Sequence, residues 1–282
     1  MDVPEMLENN KLVITLGFSV FSFTNYLTRF IIPESACRTT QQRWKWRNVA
    51  TSFIHSFITG IWSPLAFYQA PEMSNDLIST STPSTHALVS FSIGYFIYDA
   101  LDMIIYHRKR STYELLIHHF LVVICFSIAV FSHQYVAYGA LSLMVEINSV
   151  FLHARQLFII TGEPKSSLRY KTNALFNVGT FLFFRILLLG WMTRWLTVNR
   201  DKIPLAFFTA GSVGLAVIVL MNIILFCRIL SVDFSYILKV GRSEDGRSEK
   251  SSNGGSWIQH NAKTYINSVV SEENQERKER IE

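Results

Sequence analysis

Seven apolar runs, at roughly 12–32, 49–70, 86–106, 113–132, 136–158, 173–197 and 204–229, leave this chain few folds to choose from. Each holds about 20 residues, which at about 1.5 Å per residue crosses the roughly 30 Å of bilayer hydrocarbon. Charged residues are 17% of the chain, against about 25% in a typical soluble domain, so the runs are not a soluble core. The pattern predicts an all-α polytopic membrane bundle of about seven transmembrane helices. Proline agrees: Pro33, Pro71, Pro83, Pro164 and Pro204 fall at or outside run ends. Only Pro64 lies within a run, where it predicts a kink. Trp191 and Trp195 predict an interfacial belt at one end of the sixth helix.

Charge sets the expected direction. Arg38, Arg43, Lys45 and Arg47 come after the first run, Arg108, Lys109 and Arg110 after the third, and Lys165, Arg169 and Lys171 after the fifth. The stretches 71–85 and 133–135 carry no Lys or Arg, and only Arg194, Arg200 and Lys202 dissent. Positive loops stay in the cytosol, so the N-terminus is expected outside and the C-terminus inside. The net charge of +5 is spread over these loops, which argues for headgroup contacts and against nucleic acid. The start, MDVPEMLENN, is acidic and lacks the basic n-region of a signal peptide, so the first run reads as a retained helix. The chain divides into three regions: 1–39 with the first helix, a membrane domain over 40–235, and a tail over 236–282. The tail is rich in Ser, Glu and Arg and is expected to be disordered in the cytosol, open to protein partners.

Polar groups inside a membrane are expensive and therefore informative. In the third run Tyr95, Asp99, Asp102 and Tyr106 fall on one helical face. The fourth opens with Glu114 and His118 one turn apart, and His119 about 100° around the helix. In the fifth, Ser142, Glu146, Ser149, His153 and Gln156 make a second stripe, with Asn148 and Arg155 on another face. Asp102, His118 and His153 lie roughly 6–8 Å from the expected cytosolic helix ends, and Glu146 and Arg185 some 18 Å in. Carboxylates and imidazoles thus converge from three helices beneath one leaflet.

This convergence nominates His118, His119, Asp99 and Asp102 as catalytic candidates, with a histidine as general base oriented by Glu114 or Asp99. Tyr95, Glu114, Glu146, Asn148, His153 and Arg185 form the expected polar core for substrate binding or structure. A lone intramembrane arginine needs a partner, and Glu146 at the same depth predicts an ion pair. The plainer reading of the histidines is a hydrogen bond between helices. No metal is expected, because the chain has one His-His pair and otherwise scattered histidines (His55, His86, His107, His133, His153). No cofactor is expected either, with acyl-CoA entering only as a candidate substrate. Gly211 and Gly214 read as helix-packing positions.

The segments WRNVATSFIHSFITGIW, GYFIYDALDM, ELLIHHFLVV and VEINSVFLHARQL, in this order and spacing, resemble the TLC domain, the membrane fold of ceramide synthases and their non-synthase relatives. The resemblance spans roughly residues 40–235. In ceramide synthases paired histidines serve acyl transfer from a CoA thioester to a sphingoid amine, which by position implies His118 and His119. Those enzymes carry H-D-x-x-D in the next helix, where this chain has Val145-Glu146-Ile147-Asn148-Ser149, which argues against ceramide synthesis. The E-x-x-x-x-x-L-x-x-R pattern of Glu146 to Arg155 and the YDALDM motif are more similar to the small TLC domain-containing proteins, types 1 and 2. That resemblance implies control of membrane fluidity by limiting incorporation of polyunsaturated acyl chains into phospholipids. It also implies the plasma membrane as the address, with the endoplasmic reticulum as alternative. The expected partners are membrane lipids and fatty-acyl chains.

Three classes compete on these residues. A lipid regulator needs a cavity but no reactive histidine. An acyltransferase needs a soluble donor such as acyl-CoA, reaching the site past Arg108, Lys109 and Arg110. A transporter or seven-helix receptor shares the span count, yet the chain shows no internal repeat, no Asp-Arg-Tyr-like or Asn-Pro-x-x-Tyr-like motif and no sizeable outer loop.

Overall fold

Helix α1 (Asn10–Leu27) begins where the Asn9 side chain accepts the amide of Leu12, satisfying one of the orphan donors of a helix start. Thr39 does the same for α2 (Thr40–Gln69), taking the amide of Gln42 at 3.1 Å. Then come α3 (Pro83–Tyr106), α4 (Arg110–Ser132), α5 (Val136–Ser142), α6 (Glu146–Thr161), α7 (Leu168–Phe181), α8 (Leu188–Val198) and α9 (Leu205–Glu244). The computed structural model describes residues 9–106 and 110–244, and among them there is no β-strand. Residues up to Asn222 form one unit, and the rest of α9, from Ile223, belongs to a second. The last helix thus runs nine residues beyond 235 as a continuous helix, while 245–282 of the expected tail lie outside the described residues.

Among the described residues five stretches are long and apolar enough to cross a membrane: Pro83–Tyr106, Tyr113–Ser132, Val136–Thr161, Leu168–Val198 and Leu205–Ser231. The chain is therefore an all-α, multi-pass membrane protein. The first two apolar runs are also helical, as α1 and α2. Helix α2 is the more polar because its buried face carries Thr51, Ser52, His55, Ser56, Thr59 and Ser63. It contains Pro64 without interruption of the helix.

Two apolar runs that read as single helices are broken at mid-length. A 3₁₀ turn (Leu143–Val145) joins α5 to α6, and a π-helical turn (Leu182–Leu187) joins α7 to α8. These two irregular turns pack against each other. Irregular backbone at membrane depth is tolerated where protein buries it or a cavity adjoins it, and the 3₁₀ turn meets this through Leu143 and Val145, which line an internal space.

Glycine sets the closest helix contacts. A Cβ on Gly94 of α3 would lie 2.3 Å from the Ile14 carbonyl oxygen and 2.6 Å from the Phe18 nitrogen of α1. One on Gly17 would lie 2.5 Å from the Phe91 carbonyl oxygen, so α1 and α3 touch backbone to backbone. Gly60 likewise brings α2 against the backbone of Glu146 and Ile147. Asn10 reinforces α1 by donating to the Val130 carbonyl of α4 and accepting from Ser90 of α3. Behind this seam Phe21, Leu88, Ile93, Tyr95, Phe96 and Phe126 build the main apolar core. Gly94→Ala should cost at least about 2 kcal/mol, since the atoms it meets are backbone and cannot turn away. Gly190→Ala, with nothing within 4 Å of the new Cβ, should be neutral or slightly stabilising. Thermal unfolding of the detergent-purified protein separates the two, and equal melting temperatures would contradict the α1–α3 contact.

Candidate functional site

The α3 face predicted from spacing is buried where it carries the acids. Tyr95, Asp99 and Asp102 are buried, whereas Tyr106 at the helix end is exposed. Spacing gave no sign of the donor side. Asn48 of α2 gives its Nδ2 to Asp99 Oδ1 at 2.7 Å and to Asp102 Oδ2 at 3.1 Å. Trp44 Nε1 gives a third bond to Asp102 Oδ2 at 2.8 Å. Two acids one turn apart are thus held by neutral donors from the facing helix, as buried carboxylates require.

The paired histidines of α4 point in different directions, as about 100° per residue dictates. His119 is 4% exposed and turns to α3, with Nε2 3.6 Å from Asp99 Oδ2 and Nδ1 without a hydrogen-bond partner. Glu114, the other acid expected beside the histidines, lies on an exposed face of α4. One turn from His118 in sequence, it is solvent- or lipid-facing there, whereas Glu146 and Asn148 of the expected polar core are buried, as is Asp99. His118 faces an internal cavity instead.

A histidine passed over as one of several scattered ones lies deepest. His55 of α2 is fully buried, its ring stacked 3.7 Å from the Tyr95 ring and edged by Phe21 and Phe96. Neither ring nitrogen has a hydrogen-bond partner, and His119 and His153 are close enough to interact with it electrostatically. The signal that could have found it is the run of buried hydroxyls one turn apart around it on α2.

Helix α6 starts at Glu146, so the 3₁₀ turn places this carboxylate at mid-depth. Its Oε2 accepts the Ser56 hydroxyl of α2 at 2.6 Å. Asn148, fully buried on another face, binds α7 through the Asn177 carbonyl and side chain and the Thr180 hydroxyl. Arg185, carried by the π turn, does not contact Glu146. Its Nη2 reaches Ser149 Oγ at 2.7 Å and its Nη1 reaches Asn222 Oδ1 at 2.6 Å. The expected ion pair is thus replaced by two neutral acceptors, with Glu146, His118 and His153 within electrostatic range.

A cavity of about 150 Å³ lies between α3, α4, α5, α8 and the first part of α9. His118, Glu146 and Ser142 form its polar end, and the walls are otherwise apolar, with Phe96, Val122, Leu189, Met192, Phe207 and Ile218 among them. Lining positions run from His118 to Ala129 on α4 and from Phe207 to Ile218 on α9, about 16 Å along each helix. Trp195, expected in an interfacial belt, turns inward to line this cavity and packs at a tilt against Tyr138, ring centroids 5.1 Å apart. Gly211 and Gly214 line it as well, and a Cβ on Gly214 would meet Cys125 Sγ at 3.0 Å. Such a space can hold one apolar chain with its polar end beside an imidazole and a carboxyl group. Among the described residues no three His, Cys, Asp or Glu side chains gather as metal ligands would. Arg108 and Lys109, expected on the path of a soluble donor, lie outside the described residues.

Comparison with known sequences adds a second line of observation. The family profile described as the TLC domain matches residues 45–231. A Danio rerio protein named TLC domain-containing protein 2 is 49% identical over 247 residues, covering 86% of this chain and 98% of its own length. The Homo sapiens protein of the same name is 36% identical over 229 residues, 81% of this chain and 85% of that one. A Mus musculus TLC domain-containing protein 1 is 33% identical over 191 residues, 68% and 76% of the two chains.

The bridging role of Asn48 is open to direct measurement. Asn48→Leu removes the shared donor from two buried carboxylates and should lower stability by about 3 kcal/mol. Asn48→Gln, which keeps an amide, should recover part of that loss. If Asn48→Leu melts with the wild type, the α2–α3 network is not holding the acids.

Proposed function

Since the chain belongs to the TLC-domain family, we propose that it regulates the acyl composition of membrane phospholipids, and with it fluidity, by limiting incorporation of polyunsaturated chains. The observation that carries this reading is the apolar cavity, about 16 Å long, that ends on His118 and Glu146. A space of this form fits a fatty-acyl chain better than a polar solute, because its walls offer dispersion contacts and few hydrogen-bond partners. The plasma membrane is the address proposed with it, and the endoplasmic reticulum is the alternative outcome of imaging a tagged protein.

A second reading is acyl transfer from acyl-CoA. It is favoured by one feature, the placing of His118 on the cavity wall beside His119, whose ring Asp99 engages. In that role His118 would take the proton of a hydroxyl or amine attacking the thioester carbonyl and return it to the departing CoA thiolate as the C–S bond breaks, and the Asp99–His119 pair would position the α4 segment that carries it.

Phospholipid acyl profiling of cells lacking the protein tests both. Wild type should restore a lower polyunsaturated fraction, and Met192→Trp, which fills the cavity, should not. His118→Ala decides between the readings at matched expression. Full rescue leaves a binder that works without the imidazole, while loss of rescue with normal folding favours transfer chemistry. An unchanged profile on deletion would remove the composition reading itself.

A further inference from the structure

One turn past the cavity's polar end, three helices each present a polar residue, and the three meet. On α6 the step is from Glu146 to Ser149, on the π turn and α8 from Leu189 back to Arg185, and on α9 from Ile218 to Asn222. The Arg185 guanidinium spends two nitrogens on Ser149 and Asn222, while its Nε is buried without a hydrogen-bond partner. The nearest acid in electrostatic range is Glu146, which lines the cavity and takes its hydrogen bond from Ser56. Among the described residues no carboxylate stands within 4.0 Å of Arg185. A guanidinium at this depth, contacted only by neutral acceptors, leaves a positive charge that water cannot screen.

We infer that the cavity takes a single unesterified fatty acid, its carboxyl group lying between Arg185, His118 and Glu146 and its tail along the apolar walls toward Met192 and Phe207. This rests on the acyl-cavity reading and narrows it to one ligand chemistry. The polar end offers little more than His118, Glu146 and Ser142, so a phospholipid headgroup or a CoA moiety would have to be buried there at great cost. A carboxyl group needs no such space, and its oxygens match a guanidinium. Two carboxyl groups beside one guanidinium balance its charge when the ligand and Glu146 hold one proton between them.

The full-length protein, reconstituted in lipid nanodiscs, is tested for binding of radiolabelled oleic acid, with methyl oleate and oleoyl-CoA as competitors. Oleate should bind saturably, and both competitors should be weaker by roughly tenfold or more, the loss expected for an uncompensated charged partner. Arg185→Gln should weaken oleate by a similar factor without changing the methyl ester, and Arg185→Lys, which keeps the charge but not the fork, should recover part of the affinity. Methyl oleate competing as well as oleate on the wild type overturns the inference, and needs no variant that might misfold. If the wild type binds none of the three probes saturably, or Met192→Trp leaves binding untouched, the acyl cavity itself is refuted.

Discussion

Within hydrocarbon a polar group has only the protein to bond to, and this single constraint orders the interior of the bundle. Helix α2 answers it. Asn48 serves the two α3 acids and Ser56 the α6 glutamate, with Trp44 adding a fourth bond, to Asp102, near the helix start. Ser63, two turns further on, donates to the Ala140 carbonyl of α5 at 2.6 Å. One helix therefore satisfies acceptors on three neighbours, and its small hydroxyl residues leave room for them to come close. Gly60 extends the same logic to backbone contact. The positions of Asp99, Asp102 and Glu146 are consequences of α2 as much as of their own helices.

The helical architecture was legible in the sequence because twenty-residue apolar runs permit little else. The buried part of the α3 stripe was legible because period and burial coincide: Tyr95, Asp99 and Asp102 share a face that packs on α2. Three things were not. Glu114 and His118 are one turn apart, and spacing alone could not say that α4 turns its Glu114 face outward. The link between Glu146 and Arg185 was inferred from equal depth, but depth fixes one coordinate and leaves the distance across the bundle open. There, Ser149 and Asn222 reach the guanidinium first. His55 was passed over because a lone histidine carries no pattern of its own. Its environment comes from Phe21, Tyr95 and Phe96, which lie on two other helices.

Helix α1 lies outside the family profile, which begins at residue 45, yet it takes part in the same interior. Phe21 of α1 is fully buried and packs on His55, Phe91 and Tyr95. The Gly17–Gly94 contact brings that phenyl ring within reach. Arg47 of α2 is tied back to α1 through the side chain and carbonyl of Asn25. The boundary of the profile is thus one of sequence and not of packing: the ring wall around His55 is completed by a helix that the profile does not contain.

The π turn at Leu182–Leu187 has a further meaning. Each residue added to a helix rotates its downstream part by about 100° relative to its upstream part. Upstream of the turn, Asn177 must face Asn148; within it, Arg185 must face Ser149 and Asn222; downstream, the Met192 carbonyl must meet the Tyr138 hydroxyl. The wide turn acts as a phase shifter between the part of this helix that fastens to α6 and the part that walls the cavity. Removing one residue there would leave the helix long enough and apolar enough to cross the bilayer, but one of its two halves would be out of phase with its neighbours.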